Sequence, residues 1–285
     1  MRDDFCAFIL THGRPDRVHT YTTLQRAGYT GKVFIVIDDE DKTADQYRAT
    51  FGNKVLQFSK EEISTRFDEG DNFEDRRTIT YARNACFELA RAVGCRYFIE
   101  LDDDYNSGFY LRFNARLVYG NTHRIAVHID DILTELLTFF IGSGATAVAL
   151  SQGGDHIGGG LKTNPRLKRK AMNSFICSTD RPFLFRGRFN EDVNTYTTLG
   201  RQGKLFFTVM QAQVNQLATQ SNAGGITELY AKYGTYVKSA TTVCHSPSCV
   251  RVSTLGDPRS PHYRIHHRIN WHHCAPKILR EEWKK

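Results

Sequence analysis

The feature that most constrains the fold is an alternation of short apolar runs with helix-like segments over the first hundred residues. In chain order these segments are 5–10, 18–27, 33–37, 43–51, 55–58, 75–93 and 97–101. Strands that alternate with helices build a sheet whose strands are mostly parallel and buried on both faces. The chain is therefore predicted to have an α/β fold, with a mostly parallel central sheet flanked by helices.

The rest of the chain is less regular. Helices are predicted over 130–140 and 194–203, and strands over 145–150, 174–177 and 205–210. Loops are predicted at 59–74 and 151–172, and the last fifty residues show little periodicity. Since no internal repeat and no clear linker interrupts the 285 residues, a single domain over 1–285 is predicted.

Three consecutive aspartates, Asp102, Asp103 and Asp104, follow the apolar run 97–101. Like charges at the end of a buried strand repel one another unless a positive group lies among them. In an open α/β sheet, ligands bind at the carboxyl ends of the strands. A divalent cation that carries phosphates would explain the three charges, and a solvated acidic turn is the alternative.

Bulk properties narrow the class of protein. The net charge is +7, which suits a nucleic-acid or polyphosphate partner and also favours solubility. No apolar run approaches the roughly 20 residues of a membrane span, and the first residues lack the pattern of a signal peptide. The seven scattered cysteines indicate reduced thiols rather than a disulfide framework, so a cytoplasmic protein is expected.

Three separated motifs resemble inverting glycosyltransferases of the GT-A fold. Phe34-Ile-Val-Ile-Asp-Asp-Glu-Asp41 resembles their nucleotide-sugar-binding strand and acidic turn. The Ala82-Arg-Asn84 segment and the Asp-x-Asp pattern at 102–104 resemble the next helix and strand. Glu191-Asp192, with Leu199-Gly-Arg-Gln-Gly203 after it, resembles the family's Glu-Asp motif and helix. The resemblance covers residues 5–210, and its strength lies in the order and spacing of the motifs.

The resemblance implies a metal-dependent donor site. Asp102 and Asp104 would hold Mn²⁺ or Mg²⁺, although three aspartates in a row leave open a part for Asp103. A late histidine, His245 or His266, would complete the metal shell. The donor would be a nucleoside-diphosphate sugar, with UDP as the expected nucleotide, because the metal stabilises a leaving diphosphate.

The resemblance also assigns residues to the nucleotide, within a donor half over 1–105. The expected nucleotide-contacting residues are Thr11, Arg14, Asp38, Asp39, Arg83 and Asp103. For the aspartates and the threonine, ordinary turn or cap chemistry is the alternative. For Arg83 the alternative is a solvated helix residue or an ion pair with one of the aspartates.

The catalytic base is expected in an acceptor half over 106–285. Inverting transfer needs a carboxylate that takes the proton of the attacking hydroxyl. The family pattern favours Asp192, with Glu191 as a supporting or alternative residue. An acidic pair that only stabilises a helix N-terminus is the alternative.

The acceptor is inferred from charge and from a narrower resemblance. A basic segment contains Lys162, Arg166, Lys168, Arg169 and Lys170. In size and charge the chain resembles bacteriophage enzymes called TET-associated glycosyltransferases, which add sugars to hydroxymethylated DNA bases. Double-stranded DNA is therefore the expected acceptor, and its base would have to flip out of the duplex. A solvated loop, with a protein or glycan acceptor, is the alternative.

Two other classes of protein remain open. A nucleotidyltransferase would use the same acidic sheet edge, but Thr11-His-Gly-Arg-Pro15 has only one glycine where a phosphate loop is expected. A non-catalytic DNA-binding module with a transferase fold would bind DNA without using a sugar nucleotide. The presence of both acidic motifs counts against this second alternative.

Overall fold

The computed structural model describes residues 1–73, 75–120, 124–156, 168–216, 226–234, 236–259 and 263–274. The strands are β1 (Phe5–Leu10), β2 (Lys32–Asp38), β3 (Val55–Phe58), β4 (Tyr97–Asp102), β5 (Phe109–Leu111), β6 (Ile125–Ala126), β7 (Ala147–Ser151), β8 (Phe175–Ser178), β9 (Phe206–Val214), β10 (Val250–Leu255) and β11 (Arg264–Ile269). The helices are α1 (His19–Arg26), α2 (Ala44–Phe51), α3 (Lys60–Ser64), α4 (Thr80–Ala92), α5 (Ile129–Ser143), α6 (Glu191–Gly200), α7 (Ile226–Tyr233), α8 (Tyr236–His245) and α9 (Trp271–Cys274).

Nine strands form one central sheet in the order β3-β2-β1-β4-β8-β7-β9-β5-β6. The first four are parallel, and β7 is parallel to β9. Only β8 and β5 run against the common direction of the described strands, since each pairs antiparallel with both of its neighbours. The predicted α/β class with a mostly parallel, helix-flanked sheet is confirmed.

The sheet is buried because its strands carry apolar residues on both faces. All six residues of β1 are buried, and so are the first five of β4. One core packs α5 and α1 against one face, and a second core packs α4 and α6 against the other. This double burial explains why the strands read as continuous apolar runs rather than as alternating patterns.

The predicted elements of the first hundred residues are present, with two differences. Helix α3 lies inside the predicted loop, where Ser59 accepts a hydrogen bond from the main chain of Glu62 as its N-cap. Helix α4 begins at Thr80 and not at Asp75, because residues 75–79 are held by turns and by contacts with Arg188. In the second half, α6 begins at Glu191 and not at 194, so the Glu-Asp pair occupies its first turn.

The C-terminal region contains structure that the sequence did not predict. Helix α8 packs against a separate two-stranded antiparallel sheet, β10-β11. All seven cysteines are free thiols, as expected, and six of them are buried. Among the described helices, none is long and apolar enough to cross a membrane.

Candidate active site

The carboxyl ends of β1, β2 and β4 bring the polar motifs to one edge of the sheet. Leu10 of β1 pairs with Asp102 of β4 and with Val36 of β2, so the residues that follow these strands are neighbours. Thr11 and Asp38 are both buried at this edge. Sequence spacing alone predicts this juxtaposition, because parallel strands expose their carboxyl ends together.

Each member of the aspartate triplet has a different partner. Asp102 Oδ1 lies 3.1 Å from Arg83 Nη2. Asp103 Oδ2 accepts a hydrogen bond of 2.7 Å from Thr11 Oγ1 and lies 3.1 Å from Arg14 Nη2. Asp104 Oδ2 accepts from Gln216 Nε2 at 3.2 Å, while its Oδ1 is buried with no hydrogen-bond partner in the described part of the chain.

The triplet carries more negative charge than its surroundings neutralise. Burial raises the pKa of Asp102 to about 7, and the charge of Asp104 adds to that effect against the opposing pull of Arg83. Burial likewise raises the pKa of Asp103 and of Asp104. A buried carboxylate with a raised pKa gains free energy from any cation that approaches it.

Arg83 joins the triplet to the Glu-Asp motif. Its side chain is 1% exposed, and its Nε lies 3.2 Å from Glu191 Oε1. Its Nη1 lies 3.4 Å from Glu100 Oε2, inside β4. The two motifs are thus bridged by one guanidinium, which stacks over the rings of Phe175 and Phe185. We call Arg83, Glu100, Asp102 and Glu191 the Arg83 cluster.

Helix α6 positions the Glu-Asp pair. Asn190 precedes it in a left-handed conformation (φ 53°), a turn that asparagine tolerates better than most residues. Asp192 is buried, and its Oδ1 accepts a hydrogen bond of 2.7 Å from the Val193 main chain. Burial, reinforced by the charge of Glu191, raises the pKa of Asp192 to about 6. A carboxylate of that pKa is suited to accept a proton near neutral pH.

Charged side chains at the carboxyl end of β2 are paired with one another. Asp38 Oδ2 lies 2.7 Å from His12 Nδ1, and its Oδ1 lies 3.0 Å from the buried Lys60 Nζ. Asp39 is exposed, and its Oδ1 accepts from the Lys60 main chain. Hydrogen bonding to Asp38 raises the pKa of His12, which favours the imidazolium there.

Thr11 and Arg14 share a network with Tyr47. The hydroxyl of Tyr47 lies 2.9 Å from Thr11 Oγ1 and accepts a hydrogen bond from the Arg14 main chain. Thr11, Arg14 and Asp103 therefore meet, as the sequence predicts, but their contact with a nucleotide stays a prediction. The same holds for Asp38, Asp39 and Arg83. Of the sequence alternatives for Arg83, the structure contains the ion pair with an aspartate, extended to three carboxylates.

No contact within the described residues joins the late histidines His245 and His266 to the triplet. His245 packs against Gly70 and Gly187, where an added Cβ would come within 2.6 and 2.8 Å of its Nε2. That nitrogen is buried without a hydrogen-bond partner in the described residues. Nothing in the described structure joins His245 to the triplet. His266 lies in β11, beside His267. A metal-ligand role for either His245 or His266 stays a prediction.

The residues present fit a divalent cation that is shared with phosphates. Among the described residues, no three Asp, Glu, His or Cys side chains converge as a complete ligand set. Asp102 and Asp104 instead offer hard oxygen atoms, including the unpartnered Asp104 Oδ1. Mg²⁺ commonly takes only one or two carboxylates and completes its shell with phosphates and water.

The basic segment is only partly described. Lys162 and Arg166 lie outside the described residues. Lys170 pairs with the buried Asp155, and Lys168 donates to the main-chain carbonyl of the same residue. Arg169 lies over the ring of Phe207. These three side chains are therefore held by the protein itself.

Sequence reasoning missed several members of the site. Glu100 lies within the apolar run of β4, and its pKa is raised to about 8, chiefly by burial. A charged residue inside a buried strand is itself a signal of a buried partner. By contrast, no local pattern marks Gln216, His12 or Lys60 as neighbours of the aspartates.

Known proteins are similar to the chain in sequence or in structure. A family model described as TET-Associated Glycosyltransferase matches residues 5–225. No curated protein sequence matches the chain. Among solved structures, glucosyl-3-phosphoglycerate synthase from Mycobacterium tuberculosis, in complex with Mg²⁺ and uridine diphosphate, is similar with a TM-score of 0.46 and 12% identity over 93% of this chain and 87% of that chain. S. aureus TarS is similar with a TM-score of 0.40 and 11% identity over 75% of this chain and 37% of that chain.

Proposed function

The chain belongs to the TET-associated glycosyltransferase family, and from this premise we propose that it transfers a sugar from a nucleoside-diphosphate sugar to a hydroxymethylated base in phage DNA. Membership makes the protein a glycosyltransferase, so the nucleotidyltransferase and the non-catalytic module are set aside. The donor nucleotide proposed is UDP, and the proposed stereochemical outcome is inversion.

One observation carries the proposal: a single guanidinium bridges the aspartate triplet and the Glu-Asp motif. Arg83 lies 3.1 Å from Asp102 and 3.2 Å from Glu191, although the two carboxylates are far apart in sequence. A leaving-group site and a proton acceptor must lie close together for direct displacement at an anomeric carbon. The bridge supports such an arrangement at one sheet edge.

The division of roles follows from the contacts. Asp102 and Asp104 would hold Mn²⁺ or Mg²⁺, which when bound would neutralise charge on the leaving diphosphate. Arg14, which lies 3.1 Å from Asp103, would contact a phosphate beside the triplet. Glu191 is held by Arg83, whereas Asp192 carries no such ion pair among the described residues. We therefore assign the catalytic base to Asp192.

In the reaction, the hydroxymethyl oxygen of the DNA nucleobase attacks the anomeric carbon of the sugar. A new carbon–oxygen bond forms as the bond from that carbon to the diphosphate oxygen breaks, and the nucleoside diphosphate departs. Asp192 Oδ2 accepts the proton of the attacking hydroxyl, since Oδ1 is engaged by the Val193 main chain. A duplex base would have to be flipped out to reach the site.

A thermal-shift screen tests the donor half of the proposal. Nucleoside diphosphates and sugar nucleotides are added with Mn²⁺ or Mg²⁺, and stabilisation by at least one sugar nucleotide is expected. Asp104→Ala should abolish the metal-dependent part of that shift, while Asp45→Ala, a change at an exposed aspartate, should keep it. No stabilisation of the unaltered protein by any sugar nucleotide would refute the proposed donor site.

Product analysis tests the acceptor. Duplexes with and without 5-hydroxymethylcytosine are incubated with the identified donor, and their nucleosides are analysed by mass spectrometry. Sugar addition is expected only on the hydroxymethylated duplex. Asp192→Asn should lower kcat about 10²- to 10⁴-fold, the usual contribution of a positioned base, with little change in donor-induced stabilisation.

A further inference from the structure

The β10-β11 hairpin carries a cationic face. Register pairs Arg251 with Arg268 and Leu255 with Arg264, so these four side chains share one face of the ribbon. All four are exposed. Within the described part of the chain, none of the three arginines forms an ion pair, whereas Arg259 in the connecting segment pairs with Asp257. We call Arg251, Arg264 and Arg268 the hairpin arginines.

The opposite face attaches the hairpin to the protein. Val250 and Ile269 pack with Val243 of α8 around two buried cysteines. Asn190 Nδ2 donates to His267 Nδ1 at 3.3 Å. Because Asn190 directly precedes the Glu-Asp pair, the hairpin touches the N-cap of α6, two residues before the proposed base Asp192.

The facing pair Arg251 and Arg268 lowers the stability of the hairpin when no partner is bound. Like charges that lie directly opposite on neighbouring strands destabilise the pairing. Arg251 and Arg268 occupy such positions with no described carboxylate to offset them. The local potential is therefore positive, and an anionic partner would relieve it.

We propose that the hairpin arginines bind the phosphate backbone of duplex DNA and hold the acceptor beside the proposed base. A two-stranded β-ribbon is one of the elements that fits a DNA groove. Along the face of the hairpin arginines, Ser253 lies between Arg251 and Leu255, so the described residues of this face are polar or cationic apart from Leu255. This inference rests on the proposed DNA acceptor, and it concerns residues beyond the 5–225 segment that the family model matches.

The hairpin suits this role better than the described part of the basic segment. Lys170 and Lys168 are both held by Asp155, so binding a phosphate would break existing interactions. The hairpin arginines have no such ion pairs among the described residues. DNA affinity should therefore depend more on Arg251 and Arg268 than on the two lysines.

The test measures duplex binding by fluorescence anisotropy across a range of NaCl concentrations, with the full chain and Arg251→Gln/Arg268→Gln. The slope of log K against log[NaCl] should fall by about 0.9 for each phosphate that is no longer neutralised, so by roughly 2 in the double variant. The matched control, Arg48→Gln/Arg96→Gln, removes the same charge from arginines that are paired with Asp45 and Asp180. It should keep the slope of the unaltered protein.

Two further measurements separate the outcomes. The thermal midpoint of the free double variant should equal or exceed that of the unaltered protein, because the like-charge pair is gone, and its donor-induced stabilisation should persist. An unchanged slope in the double variant, or an equal reduction in the control, would overturn the hairpin assignment. Failure of the unaltered protein to bind duplex DNA would also overturn it, whereas intact donor-induced stabilisation would leave the transferase proposal standing.

Discussion

Arg83 and Arg188 are both buried guanidinium groups, yet their surroundings differ in charge balance. Arg188 pairs with Asp71 at 2.8 Å and Glu69 at 2.6 Å, and it also donates to the carbonyls of Phe73 and Asp75. Every nitrogen of its guanidinium has a partner. Arg83 faces three carboxylates at 3.1–3.4 Å. We call Arg188, Glu69 and Asp71 the Arg188 cluster.

The difference separates an ion cluster whose cation is matched by its partners from one that keeps a surplus of buried carboxylates. In the Arg188 cluster, two carboxylates and two main-chain carbonyls satisfy one cation, and the result holds residues 69–73 and Asp75 against the segment that precedes α6. In the Arg83 cluster, one cation serves three carboxylates, and the pKa of Asp102 and of Glu100 is raised to about 7 and about 8. A buried surplus of negative charge is costly unless a ligand compensates it.

The largest expected effect on stability comes from removing Arg188, whose guanidinium is fully satisfied by its partners. Arg188→Met should lower the free energy of unfolding by about 3–5 kcal/mol, because Glu69 and Asp71 would be left without their buried partner. We expect a similar cost throughout pH 6–9, measured by chemical denaturation. Arg186→Met serves as the control, since Arg186 is exposed two residues away. A cost below about 1 kcal/mol would mean that the Arg188 cluster is solvated.

Removing Arg83 should instead have a cost that depends on pH. Arg83→Met leaves three carboxylates, of which Asp102 and Glu100 readily take protons because their pKa values are already raised. The decrease in unfolding free energy should approach about 3–5 kcal/mol at pH 9 and be clearly smaller at pH 6. Arg91→Met, at an exposed position of the same helix, is the control. Equal costs at both pH values would remove the distinction between the two clusters.

The sequence predicted the structure best for strands that are buried on both faces of the sheet, because each strand's apolar residues are consecutive, or nearly so, in the chain. Apolar runs, continuous in β1 and β2 and interrupted by Gln57 in β3 and by Glu100 in β4, predicted these strands, and parallel pairing then placed Thr11, Asp38 and the triplet at one edge. The Arg188 cluster was not predictable, because Arg188 and its carboxylates are more than 100 residues apart and lie in loops without periodicity.

The C-terminal hairpin shows a second limit. Strands β10 and β11 are rich in arginine, histidine and serine, and each turns only a few apolar side chains toward α8. The alternation that marks a half-buried strand is therefore weak. The contacts of Arg83 were predictable only in part. An ion pair with one aspartate was a stated alternative, but the convergence of Glu100 and Glu191 on the same guanidinium depends on tertiary packing.

A smaller effect tests the surplus charge directly. Folded-state pKa values of Asp102 and Glu100 lie above their unfolded values, so the folded protein binds more protons between about pH 4 and pH 8. The contribution of these two carboxyl groups to the unfolding free energy should therefore fall as the pH rises through that window, when measured in EDTA.

Glu100→Gln should flatten this decline, because the glutamine cannot ionise while its amide oxygen can still accept from Arg83. At pH 9 the variant should be more stable than the unaltered protein by about 1–3 kcal/mol, and at pH 5 the two should be nearly equal. Glu88→Gln, at an exposed glutamate of α4 that pairs with Arg66, should follow the unaltered protein. A destabilised Glu100→Gln at pH 9 would show that the third carboxylate is needed by Arg83.

The smallest expected effect concerns Asp103, the middle member of the aspartate triplet. Asp103 adjoins the Arg83 cluster in sequence, yet it has both a cation and a hydroxyl donor of its own, Arg14 and Thr11. Thr11→Val keeps the shape of the side chain and removes the hydrogen bond, at an expected cost of about 1–3 kcal/mol in unfolding free energy. Because the Thr11 hydrogen bond opposes the effect of burial on the pKa of Asp103, that pKa should rise in the variant. Thr22→Val, at an exposed position of α1, is the control. If Thr11→Val changes stability no more than Thr22→Val does, the charge of Asp103 is compensated by Arg14 alone.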